Sequence, residues 1–200
     1  MTDTDRLLQA AMQRRETFAS GLEHTNAFRL VHDKADDADG WIIDNLGPVA
    51  NLRVNPDCGA NDEQIIEVAR ALCESAFPPC ESAWVTIDEP RKDTTRSHAD
   101  LEHSANAELR SLGLFPASEE WEILEHDRRF LVRCDAGFSY GLFLDMRPVR
   151  RDLSERWRDR KIANLFAYTC GFGVALSSDN EVWNVDVSKP YLEWGERNYA

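Results

Sequence analysis

The stretch that most constrains the fold is residues 161–200, KIANLFAYTCGFGVALSSDNEVWNVDVSKPYLEWGERNYA. KIANLFAY and EVWNVDVS read as strands. TCGFGVALSS between them reads as a turn and helix start, and KPYLEWGERNYA as a second helix, with Ser188 as its N-cap and Pro190 in its first turn. Strand, helix, strand, helix is the order of a parallel, doubly wound sheet, because parallel neighbours need a crossover between them. In such sheets ligands sit beyond the carboxyl ends of the strands near the first crossover. NLFAYTCGFG, residues 164–173, falls at that place. Gly171 is expected to let the backbone approach a ligand closely, and the helix start beyond it to offer free N–H groups and a positive dipole end. Fourteen residues after Phe172, Asp186 closes the second strand. An acid there can accept two hydrogen bonds from a ribose diol. No GxGxxG is present, and Phe166 and Tyr168 stand where glycines are expected. These residues alone leave open both a nucleoside-cofactor site and an ordinary α/β core.

Upstream the texture differs. Residues 5–22 space Leu7, Leu8, Ala11, Met12, Phe18 and Leu22 as one helix face, with Gly21 near its end. FRLVH, WIID and PVANLRV read as short strands, and residues 62–77 as an amphipathic helix capped by Asn61. AWVTIDE reads as a further strand, EPRKDTTRSHADLEHSAN as a polar excursion, and WEILEHD with RRFLVRCDAG as a hairpin joined near Asp127. RPVRRDLSERWRDR reads as a helix with a basic face. The change from α+β to α/β texture falls at residues 125–140.

Two metal readings fail on spacing. With Gly40 at the sixth place of a calcium loop, the first and twelfth places are Ala35 and Leu46, so both obligatory carboxylates are missing and DKADDADG reads as an acidic turn. His98 and His103 are five apart, which does not put them on one helix face. No metal site is expected. Five cysteines, none in a CxxC pair, read as reduced thiols of a cytosolic protein. No apolar run has the length of a membrane span, and the polar N-terminus matches neither a signal nor a transit peptide. The net charge of −13 opposes nucleic-acid binding, yet residues 131–200 balance 10 acids against 10 bases. Arg147, Arg150, Arg151, Arg156, Arg158, Arg160 and Lys161 cluster there, either as a salt-bridged helix face or as a phosphate contact.

YGLFLDMRPVRR, then NLFAYTCGFGVAL, then VWNVDVSKPYLEWGERN resembles the class I S-adenosylmethionine-dependent methyltransferases related to those that modify large-subunit ribosomal RNA. That family carries a G-x-F-L-D-x-R segment before the first Rossmann-like strand and the aromatic N-L-F-A-Y-T-[GC] form of the cofactor loop. More weakly, FRLVHDKADDADGWIIDNLG is similar to the family's small preceding domain, and HDRRFLVRCDAGFSYG to the strand pair leading into the catalytic fold. The resemblance implies an α/β chain: an N-terminal helix at 1–24, a small α+β domain at 25–130, and at 131–200 the N-terminal part of an S-adenosylmethionine-binding Rossmann-like domain.

Carried over, Phe143, Leu144, Asp145 and Arg147 lie along the cofactor pocket and shape its methionine end. Asn164, Phe166, Ala167, Tyr168, Thr169, Gly171 and Phe172 form the loop under the cofactor, within Asn164 to Gly173. Asp186 takes the ribose hydroxyls, Val187 packs near the adenine, and Ser188 follows them. Structural roles stand beside these: Phe143, Leu144 and Val187 as core, Asp145 as a helix cap, Arg147 paired with a surface acid. The resemblance also implies S-adenosylmethionine as cofactor, ribosomal RNA as substrate, a cytoplasmic setting, and catalytic residues beyond Ala200, since the D-P-P segment that presents a target base is absent. None of the five cysteines stands where a cytosine-5 nucleophile would. An alternative is a catalytically incompetent fragment, or an RNA- or partner-binding module that keeps part of the fold. A nicotinamide-dependent oxidoreductase is a weaker option, disfavoured by the missing GxGxxG. An unpaired sheet edge is expected to favour homo-oligomers or poor solubility.

Overall fold

Three strand-forming runs rich in β-branched residues follow one another closely, and in the computed structural model they pair as a sheet. The structure describes residues 3–18, 24–74, 80–87, 98–135 and 139–199. It divides into two compact units, Met1–Leu22 with Asn26–Ser118, and Glu23–Thr25 with Glu119–Ala200.

In the first unit, β1 (Ala27–His32), β2 (Trp41–Leu46) and β3 (Val49–Val54) form an antiparallel meander. β4 (Ser82–Ile87) adds to β3 in parallel after a crossover through α2 (Asp62–Glu74). Helix α1 (Asp3–Phe18) contributes Leu7 and Ala11 to the core, where they join Leu30, Ile43, Leu52 and Val85 from the sheet and Ile65 and Leu72 from α2. Asn61 caps α2, its Oδ1 accepting from Gln64 N at 2.9 Å. DKADDADG is an acidic turn: Gly40 N donates to Asp33 Oδ1 at 2.7 Å, and the Asp36 carboxylate accepts from His32 N and from Arg14.

One expectation fails here. HADLEHSAN, the second half of the expected polar excursion, belongs to a helix, α3 (His98–Ser111). Among its described side chains Ala105 and Leu109, four residues apart, are fully buried, a narrow apolar stripe among many charges. Residues 89–97 of that stretch, and Gly21 at the end of the first helical run, lie outside the described residues.

The second unit begins with the hairpin β5 (Trp121–Glu125) and β6 (Arg128–Val132). Its turn residues His126 and Asp127 have φ of 50° and 63°, the left-handed pair a two-residue hairpin turn needs. Then come α4 (Arg147–Arg156), β7 (Lys161–Leu165), α5 (Gly171–Leu176), β8 (Glu181–Val185) and α6 (Lys189–Arg197). β7 and β8 pair in parallel, Leu165 opposite Val185, which is the expected strand–helix–strand–helix order. Leu165, Trp183 and Val185 share one face of this pair and are exposed. Among the described residues no helix is long and apolar enough to cross a membrane.

Candidate functional site

The chain leaves β7 through a loop whose backbone is unusual. Phe166, Tyr168 and Cys170 all adopt left-handed backbone, with φ of 56°, 51° and 60°, although none is glycine. Alternating with them, Ala167 and Thr169 are buried. The loop therefore turns Ala167, Thr169 and Cys170 inward and leaves Phe166 open to solvent. Ala167 N donates to Val185 O at 3.1 Å, and Cys170 N to Ala167 O at 2.8 Å, which closes the turn into α5.

Asp186 fastens this loop to the end of β8. Its Oδ2 accepts from Tyr168 N and its Oδ1 from Ser188 N, both at 2.8 Å. These two amide bonds hold its carboxyl below the usual aspartate range, with Ser188 the larger cause. Each oxygen keeps a second lone-pair direction, so the ionised group can still accept two further donors. Flanking it, Phe166 is 89% and Val187 100% exposed. An anchored carboxylate with spare acceptor capacity beside open apolar surface fits a nucleoside: a diol for the oxygens and a flat ring for the side chains.

A second layer supports the loop. The Thr169 hydroxyl donates to Gly141 O, and Ser139 Oγ to Tyr168 Oη at 3.3 Å. Asn198, buried in the turn after α6, donates from Nδ2 to Thr169 O at 3.0 Å and accepts from Leu131 N at 2.8 Å. Trp194 Nε1 donates to Leu131 O. Gly141 has φ of 98°, and a Cβ there would lie 2.4 Å from the Trp194 ring. The Tyr168 ring meets Phe143 at 5.6 Å and Tyr191, edge-on, at 4.4 Å between centroids. Burial raises the Tyr168 phenol. The Cys170 thiol is pushed up to about 11, first by burial and then by the Asp186 and Glu196 charges.

The structure brings together most of the residues singled out in sequence, and Phe143 does reach the loop. Several local reasons differ. Gly171 does not supply left-handed backbone; the three non-glycine residues do, and its lack of a Cβ makes room for Leu142, 2.9 Å from where that atom would lie. Helix α5 is six residues long, under two turns, so its dipole adds little. Ser188 holds the N-cap position of α6 but makes no side-chain cap bond. Asn164 turns sideways, donating to Asn184 Oδ1 at 2.8 Å. Leu144 is half-buried and Asp145 exposed, and Met146, not Asp145, is the N-cap of α4.

Arg147 pairs with an acid, but a buried one. Its Nε donates to Glu125 Oε2 at 3.2 Å, and burial lowers its pKa. Arg150 takes the same carboxylate bidentately, at 2.7 Å for each bond. Glu125, Tyr191 and Asn198 escaped the sequence reading, and Arg150 entered it only as a member of the basic cluster. A signal for Glu125 exists: in WEILE the inward positions are Ile123 and Glu125, so an acid sits in an apolar row.

The basic cluster proves internally matched. Arg151 meets Glu155 at 2.7 Å, Arg158 meets Asp179 at 3.1 Å, Lys161 meets Glu181 at 3.6 Å, and Arg156 pairs with Asp152. With Arg147 and Arg150 on Glu125, six of the seven cations have a carboxylate. This is the salt-bridged face rather than a free phosphate surface. A depression of about 640 Å³ in the first unit, lined by Arg6, Gln9, Gln13, Lys34 and Asp36 among others, is open and mixed in charge, without the convergent groups of the loop.

A two-strand parallel pair, an anchored acid at its second carboxyl end and a tight loop at its first define a Rossmann-like nucleoside-binding class. The chain belongs to the S-adenosylmethionine-dependent methyltransferase family, whose model matches residues 95–200. It is 40% identical over 84 residues to a ribosomal RNA large subunit methyltransferase K/L of Dichelobacter nodosus, covering 41% of this chain and 12% of that protein. It is 37% identical over 89 residues to the ribosomal RNA large subunit methyltransferase K of Neisseria meningitidis, covering 42% of this chain and 24% of that one. Among solved structures it shares its fold with SMU.776, a candidate methyltransferase in complex with SAH, at a TM-score of 0.73 and 22% identity. A candidate methyltransferase from Streptococcus mutans matches at 0.71 and 23%. All of this chain aligns, but only 48% and 49% of those two. The chain thus spans about half the length of these solved relatives, and its matches cover less still of the curated ones.

Proposed function

We propose that this chain binds S-adenosylmethionine at the loop after β7 and serves a methyltransferase acting on large-subunit ribosomal RNA. The observation that carries the reading is Asp186, fixed by two backbone amides at the end of β8 with acceptor capacity left for a ribose diol. The names of the curated relatives support the RNA substrate, and the SAH bound to SMU.776 supports the cofactor. Asp186 orients the ribose, and Val187 and Phe166 offer apolar surface to the adenine side. Ala167, Thr169, Gly171 and Phe172 shape the turn beneath, Asn164 and Ser188 flank it, and Tyr168 with Phe143 closes its wall. Leu144, Asp145 and Arg147 border the methionine end. When bound, the cofactor supplies an electrophilic methyl group on a sulfonium. The chain's own part is orientation and exclusion of water, which together provide much of the rate in an in-line displacement. The same reading puts the protein in the cytoplasm, where its free cysteines stay reduced, and allows self-association through the exposed face of β7 and β8.

Calorimetric titration of the full chain tests it. S-adenosylmethionine is expected to bind, and Asp186→Ala to weaken it by about a hundredfold, as for the loss of two charge-assisted hydrogen bonds. Equal heats for the two proteins at millimolar ligand would remove the site.

A further inference from the structure

Arg150 links the two segments bordering the proposed cofactor site. Its guanidinium is almost fully buried and spends Nε and Nη2 on the two oxygens of Glu125, itself 3% exposed. Nη2 then donates again, to Phe143 O at 2.9 Å, where the 143–147 segment turns into α4. On its other side the guanidinium lies 5.8 Å from the Phe172 ring centroid, in the first turn of α5. Glu125 also receives Arg147, so one carboxylate fixes two arginines on the same helix. A buried ion pair is weak evidence for stability, because well-packed apolar residues of similar volume do as well. What apolar residues cannot do is fix a carbonyl and two planar forks in one orientation.

We propose that Arg150, oriented by Glu125, is a positioning residue. It sets the Phe143–Asp145 segment against the 166–172 loop, and so shapes the end of the site that receives the methionine moiety. The inference rests on the cofactor reading above and specifies which part of the ligand depends on the triad. Arg147 acts in it as the second arm on Glu125.

The test compares two ligands on the full chain: S-adenosylmethionine, and 5′-methylthioadenosine, which keeps the nucleoside but lacks the aminobutyrate. Arg150→Lys keeps the charge but not the fork, and Glu125→Gln keeps the shape but not the charge. Each is expected to weaken S-adenosylmethionine by about tenfold, one lost charge-assisted bond, and to leave methylthioadenosine within about twofold. The Leu144 amide, whose peptide group contains the Phe143 carbonyl, is expected to shift in the NMR spectrum of the free Arg150→Lys protein. Equal weakening of both ligands would make the triad merely structural and overturn the proposal. So would unchanged binding of both, or an unmoved Leu144 amide. Should Arg150→Lys fail to fold, Glu125→Asp, one methylene shorter, is read by the same three criteria. A wild-type chain that binds neither ligand overturns the cofactor reading, and this inference with it. A wild-type chain that binds, and loses affinity in Asp186→Ala but not in the triad variants, overturns this inference alone.

Discussion

Cys170 shows how a cysteine inside the cofactor loop is made inert by the fold. It sits in the cofactor loop next to Gly171, yet its thiol is buried, and a Cβ on Gly195 would lie 2.4 Å from its sulfur. With its pKa pushed up to about 11, it stays a thiol at neutral pH and is no nucleophile. The linkage follows in sign. Folding disfavours the thiolate, so the contribution is intact below the ordinary thiol pKa of about 8.5 and is lost as pH climbs toward about 11. Urea unfolding at pH 7 and pH 10.5 is expected to show a fall in stability that Cys170→Ala reduces, the buried Tyr168 and Tyr199 phenols supplying part of the remainder. A thiol reagent at pH 8 is expected to label Cys170 only after denaturant is added. Asp186 has the opposite sign: its depressed pKa gives stability present above about pH 4 and lost on acidification through its folded value.

Among the elements, the hairpin and α6 clamp the loop from one side. Asn198 joins Leu131 of β6 to Thr169 of the loop with two bonds made while buried. Asn198→Ala strands an amide and a carbonyl and is expected to cost about 2–4 kcal/mol in urea unfolding. Asn198→Asp, which keeps the acceptor for Leu131, is expected to fall between Ala and wild type. None of this was legible in GERNYA, where an asparagine near a helix end reads as a capping or turn residue. What sequence did disclose was periodic or local: the two alternating strands, the Asn61 cap, the hairpin at His126–Asp127. Helix α3 was hidden by its charges, because among its described side chains the apolar stripe is only Ala105 and Leu109 against a polar background. The loop's left-handed residues were hidden for another reason. Glycine is the usual signal for such backbone, and the glycines beside this loop, Gly171 and Gly173, sit where Leu142 and Asn184 press close instead.

At the scale of the whole molecule, an acidic chain carries a locally neutralised basic helix and a small parallel pair with an open apolar face. Residue counts disclosed the cluster but not its pairing, since Arg158–Asp179 and Lys161–Glu181 join residues some twenty apart. The sequence pointed to an unpaired edge and not to this exposed face, whose residues come from the register that puts Leu165 opposite Val185 and Ala163 opposite Trp183. An apolar surface of this kind promotes association. The full chain is expected to bind a hydrophobic dye and to self-associate in sedimentation experiments. Leu165→Thr with Val185→Thr, which preserves strand propensity, is expected to reduce both signals without unfolding the protein. Unchanged dye binding would show that the face is covered in solution.

Phe166 holds a left-handed backbone while 89% of its surface meets solvent. A bulky residue in that conformation costs about 1 kcal/mol, and asparagine adopts it far more readily. Phe166→Asn is therefore expected to raise the melting temperature by a few degrees and to weaken S-adenosylmethionine in the same titration. On this account the ring has no thermodynamic reason to stand where it does in the free protein. The chain gives up stability to keep it, a trade that makes sense only if what the ring meets on binding returns more than the backbone loses.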